Sequence, residues 1–185
     1  MASPRTLLII DIQRDYFPGG AYPLVEPEAA AEAARRVLDS FRDAGDPVIH
    51  MKHVWDAPDA EFMRPGTEGI EIHTTVVPAE GELVLEKTSP NSFVDTALEE
   101  ELNQRDPDEL VVAGMMSSMC VDATVRAAAD LGFSATVVHD ACAAPDLQFN
   151  GVDVPGAVVH AAFMAALADG YAEVTSADEL LGDAA

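Results

Sequence analysis

Lysine is almost missing from this chain of 185 residues: only Lys52 and Lys87 occur, and the remaining basic residues are all arginine. With 33 acidic residues against 10 basic ones the formal net charge is -23. That balance leaves no basic footprint for nucleic acid or for an anionic membrane surface. The acids run along the whole chain instead of forming a tail, which reads as adaptation to high salt, where screening removes self-repulsion. A chain so adapted gains melting temperature between low salt and molar KCl. Cysteine is scarce too. Cys120 and Cys142 make no disulfide framework and no paired zinc motif, so both read as reduced thiols. No apolar run is long enough for a membrane span, and MASPRTLLIID is too short for a secretory leader, which makes a cytoplasmic location the default expectation.

What is present is a chain of 49% apolar residues, enough for one packed domain over residues 1–185, with no repeat and no linker. Thr6 to Asp11 (TLLIID) is a nearly continuous apolar run, the pattern of a strand buried on both faces, with its acid emerging at the carboxyl end. Pro27 to Ala44 is a helix with Pro at its start and Gly45 beyond it. Further strands are expected over Pro47–His53, Glu82–Glu86, Glu109–Gly114, Ser134–His139 and Tyr171–Val174. Helices are expected over Asn91–Gln104, Cys120–Leu131, Val154–Asp169 and Ser176–Leu181. Trp55–Thr74 reads as a long loop, and Asp140–Asp153 as an irregular connection. Strands alternating with helices predict a three-layer α/β/α domain around a doubly wound, mostly parallel, six-stranded sheet.

In such sheets ligands bind beyond the carboxyl ends of the strands. Asp11, Lys87 and Cys120 all fall at or just past such ends, which brings a carboxylate, an ammonium and a thiol toward one edge. The stretch AGMMSSMCVDATVR carries Cys120 from a strand into a helix start, with Ser117 or Ser118 available as cap. Unpaired N–H groups and the helix dipole there favour thiolate over thiol. Taken alone, a cysteine among Met and Val is more often a packed core residue, and a lysine after a strand is more often a solvated end. A chain that keeps so few lysines and retains one at this position shifts that balance. Cys142 reads as a small packed residue.

LLIIDIQRDYF around Asp11, EKTSPNSF around Lys87 and GMMSSMCVDATVRAAADLGF around Cys120 together resemble the isochorismatase-like cysteine hydrolases, and the likeness extends to HDACA at His139–Ala143. The resemblance implies an Asp11-Lys87-Cys120 triad, a cis peptide at Met115–Met116, and an oxyanion site made by the N–H groups of Met116 and Cys120. It also implies a homo-oligomer, and a cysteine hydrolase that cleaves a non-peptide C–N bond of a small amide or lactam-like substrate through a thioester, with no cofactor. His53, Trp55, Phe62, Arg64 and Ser118 are the expected pocket residues; Ser118 stands where relatives often have histidine. Nicotinamidases of this superfamily carry a metal site with an Asp-x-His pair. This chain lacks that pair and offers His50, His53 and His73, so no metal is expected. The alternatives are a metal-assisted amidase of the nicotinamidase type and a non-catalytic binding or assembly protein that retains the site.

Overall fold

The computed structural model describes residues 4–182. Six parallel strands form one sheet: β1 (Arg5–Ile10), β2 (Val48–His53), β3 (Leu83–Lys87), β4 (Glu109–Met115), β5 (Ala135–Ala143) and β8 (Glu173–Thr175). Their order is β3-β2-β1-β4-β5-β8. The chain therefore leaves β1 toward one side, returns, and continues through β4 toward the other. This places the switch point of the sheet between β1 and β4, where the crevice of a doubly wound fold opens.

The apolar run of β1 is explained by its place near the centre. Leu7 and Ile9 face one layer, where α1 (Pro27–Ala44) contributes Ala34, Val37, Leu38 and Phe41. Leu8 and Ile10 face the other, where α2 (Leu98–Arg105), α3 (Asp122–Asp130) and α4 (Gly156–Ala168) contribute Leu102, Val125 and Met164. β3 lies at the sheet edge and alternates in burial instead, as a half-covered strand should. The helix α5 (Ala177–Leu181) is capped by Ser176, whose side chain and Glu179 form a capping box.

Three expectations change. Residues 91–97 do not join α2, which begins at Leu98; Asn91 instead turns the backbone through its side chain, accepting from the Phe93 N–H at 3.0 Å. Cys120 is not in the first turn of an α-helix but in a π-helical turn, Ser117–Val121, that runs into α3 without a side-chain cap. The connection after His139 is more ordered than expected: β5 runs on to Ala143, and β6 (Leu147–Phe149) pairs antiparallel with β7 (Val152–Val154). The extension of β5 follows from an irregular register, since Val112 pairs with Val137 whereas Gly114 pairs with Cys142.

Gly114 is needed for a reason other than a turn. A Cβ there would stand 2.2 Å from the carbonyl oxygen of Ile10. Only glycine lets β4 lie this close to the end of β1, which is where Asp11 emerges. On the α1 face, Glu82 accepts from Arg42 at 2.6 and 2.8 Å and from the Ala79 N–H at 2.8 Å, and its carboxylate is 2.9 Å from His50 Nε2. The Arg42 hydrogen bonds, ahead of the other contacts, hold the Glu82 carboxyl down to about 2. With the unfolded value near 4.5, this group stabilises the fold fully above that pH, and the contribution is lost as pH falls toward about 2. Among the described residues no helix is long and apolar enough to cross a membrane.

Candidate active site

Four neighbouring strands end at one place. Lys87 closes β3, His53 closes β2 and pairs in register with Lys87, Asp11 follows β1, and Cys120 follows β4 after the π-helical turn. Asp11 leaves the strand in the left-handed region, at φ 50°, a conformation that Asp tolerates better than most residues. The peptide Met115–Met116 is cis.

Lys87 Nζ lies 2.7 Å from Asp11 Oδ2, and both side chains are fully buried. The contact is an ion pair: neither carboxylate oxygen accepts a well-aligned hydrogen bond from the described residues. The ammonium also approaches His53 Nδ1 at 3.1 Å and donates to the carbonyls of Ser89 at 3.0 Å and Pro90 at 3.3 Å. Lysine has only donors to give, so Nδ1 of His53 must accept, and the ring proton resides on Nε2. Burial, and then the neighbouring Lys87 charge, lower the His53 pKa, with Asp11 opposing, so the ring stays neutral.

Cys120 is 2% exposed. Burial pushes its thiol up, the Asp11 charge adds to this, and Lys87 opposes it. Loss of hydration and the facing carboxylate thus act against the thiolate that the helix start favours. The site favours a thiol over a thiolate beside Asp11. Alkylation of Cys120 by iodoacetamide should accordingly keep climbing with pH through about pH 9. A plateau reached by about pH 8 would show a preformed thiolate instead. Cys142 should stay unlabelled throughout, because it is buried against Val138 and burial raises its thiol to about 12.

The thiol faces a cavity of about 450 Å³. His53, Trp55 and Phe62 line it, joined by Tyr16, Tyr22, Glu61, Thr88 and Met119. Met116 and Cys120 also border it. Two expected pocket residues lie elsewhere. Arg64 is exposed on the long loop and Ser118 is half-buried on the π-helical turn, and neither is among the residues that line the cavity. The neighbouring Ser117 is the buried one, its Oγ 2.8 Å from His160 Nδ1 on α4.

The residues that shape the wall are held by a segment whose sequence signal was its DIQRDY motif. Gln13 donates to the carbonyls of His53 at 2.9 Å and Ile70 at 2.7 Å, and accepts from the His53 N–H at 2.8 Å. Asp15 accepts from the backbone N–H groups of Met63 and Ala21. Both side chains are buried and tie the long loop to the ends of β1 and β2, so that Tyr16, Tyr22 and Trp55 gather around Phe62. A buried polar staple of this kind could not be told from a solvated loop side chain by spacing.

The three histidines considered as a metal set do not meet. His50 is engaged by Glu82, His73 stacks on Phe17 with ring centroids 3.7 Å apart, and only His53 reaches the cavity. Donor atoms of Asp11, His53 and Cys120 do lie within 4.8 Å of one another. The Lys87 ammonium, against both Asp11 and His53 Nδ1, already takes the position of a cation there. The donor set thus does not suit a resident metal ion.

The chain is a doubly wound α/β domain that brings a thiol, a carboxylate and an ammonium together at its switch point. Residues 5–179 match the Isochorismatase domain model, and the chain belongs to the isochorismatase family. It is 49% identical over 175 residues to the isochorismatase family protein YddQ of Bacillus subtilis, covering 95% of this chain and 97% of that protein. It is 32% identical to a maleamate amidohydrolase of Pseudomonas putida, covering 72% and 70% respectively. A crystal structure from Oleispira antarctica, assigned to the isochorismatase hydrolases, superposes with a TM-score of 0.94 at 48% identity over 98% of each chain.

Proposed function

We propose that this chain is a cysteine hydrolase that cleaves a non-peptide C–N bond of a small amide or lactam-like substrate. The observation that carries this reading is the Asp11–Lys87 ion pair, fully buried beside a thiol at the floor of a cavity. Removing two charges from water is costly, and a hydrophobic pair would do as well for stability alone.

In this mechanism the substrate carbonyl approaches Cys120 Sγ, and Asp11 accepts the thiol proton as the S–C bond forms. Burial and the Asp11 charge favour the thiol over the thiolate, so proton transfer and attack are coupled. The oxyanion lies against the N–H groups of Met116 and Cys120. Collapse breaks the C–N bond, and Asp11 returns the proton to the departing nitrogen. Water then attacks the thioester, Asp11 takes its proton, and the S–C bond breaks to leave a carboxylic acid and the thiol. Lys87 keeps the carboxylate oriented and balanced in charge, and His53 Nε2–H offers the substrate a neutral donor.

A screen of small amides, with intact-mass detection of an acyl adduct on Cys120, tests this reading. An adduct that maps to another residue, or turnover with no dependence on Cys120, would overturn it. Self-association remains part of the proposal. α4 carries no Asp, Glu, Lys or Arg and presents Ala157, Val158, Ala161 and Ala165 outward, the sort of face on which two acidic chains can meet without repulsion. Sedimentation showing only a monomer would count against it.

A further inference from the structure

The charge on the wall of the cavity points to the class of substrate, given the hydrolase reading above. Apart from His53, Cys120 and the uncharged Thr88, the lining is aromatic or apolar, and Glu61 is its one carboxylate. Glu61 is exposed, and among the described residues it has no hydrogen-bond or ion-pair partner. It precedes Phe62, the ring around which the wall is assembled: Tyr22 stacks on it at 4.8 Å and Trp55 meets it edge-on at 5.2 Å.

Among the described residues no lysine or arginine lines the cavity. The one ammonium nearby, Lys87, is occupied by Asp11, His53 and two carbonyls, and His53 is held neutral. A substrate carboxylate would therefore enter with no counter-ion, past Glu61 and through the field of a molecule with a net charge of -23. A cationic group meets the reverse. Its charge can face the aromatic rings and pair with the free carboxylate of Glu61, while the carbonyl reaches Cys120.

We propose that the substrate is an amide bearing an ammonium group remote from the scissile carbonyl, and that Glu61 is its specificity-determining partner. Three benzamides that differ only at the para position provide the probes: aminomethyl, hydroxymethyl and carboxylate. Their binding is measured by calorimetry on Cys120→Ala, which binds without turning over, and their hydrolysis by ammonia release from the unaltered protein. The cationic probe should bind about tenfold more tightly than the neutral one, and the anionic probe more weakly than either. Glu61→Gln should bring the cation-to-neutral ratio to within about twofold, and raising salt from about 50 mM to about 1 M should reduce it severalfold.

The proposal is overturned if the carboxylate probe binds as well as the ammonium probe, if the ratio persists in Glu61→Gln, or if the cationic probe does not bind. Because binding and turnover are read separately, the two readings fail in different ways. The expected order of affinity with no Cys120-dependent hydrolysis would count against the hydrolase assignment alone. Hydrolysis with no charge preference would count against the role of Glu61 alone.

Discussion

Cys120→Ala should lower kcat/KM by about 10⁴-fold or more on any small amide that acylates the unaltered protein. The residue lies on the cavity with its Sγ as the nucleophile of the proposed mechanism, and no second thiol can take its place, since Cys142 is buried on β5. The substitution removes one sulfur from a buried position and leaves the Asp11–Lys87 pair intact, so the fold should survive with a modest change in melting temperature. Cys120→Ser is the more demanding variant. It keeps a hydroxyl that Asp11 could deprotonate, but an alcohol is far harder to ionise than a thiol, and turnover should stay near the alanine level. Steady-state kinetics and intact mass check both variants. Activity within about tenfold of the unaltered protein in either one would mean that the bond is broken without a thioester.

Lys87→Met should be damaging in two separate ways. It leaves the Asp11 carboxylate buried without its cation, which should cost about 3–5 kcal/mol of unfolding free energy. It also removes the group that holds Asp11 and the His53 ring in place, so kcat/KM should fall by about 10³-fold or more. A double variant, Lys87→Met with Asp11→Asn, separates these effects. It leaves no unpaired charge and should recover a large part of the stability while remaining inactive. Urea unfolding and amide turnover provide the two readouts. A single Lys87→Met variant as stable as the parent, or one that retains turnover near the parent level, would remove Lys87 from the proposed machinery.

The parts of this site that could be read from the chain are those that local pattern controls. Asp11, Lys87 and Cys120 follow apolar runs of strand length, and the alternation of strands and helices puts such ends on one edge of a parallel sheet. The separation of His50 from the cavity was partly legible as well. Three residues from His53 along a strand, it points to the opposite face and reaches Glu82. Arg64 and Ser118 were harder to place because loop direction follows contacts distant in sequence, here the Gln13 and Asp15 hydrogen bonds that fix the long loop.

By itself, then, the sequence determined the layered α/β architecture and put Asp11, Lys87 and Cys120 at strand ends on one edge, because hydrophobic period and residue chemistry are local properties. The burial that works against a Cys120 thiolate, the tautomer of His53 and the aromatic wall with Glu61 beside it were decided only by the tertiary structure. Each depends on which groups burial strips of water and which charges it brings within a few ångströms, and neither quantity is written in the spacing of residues along a strand.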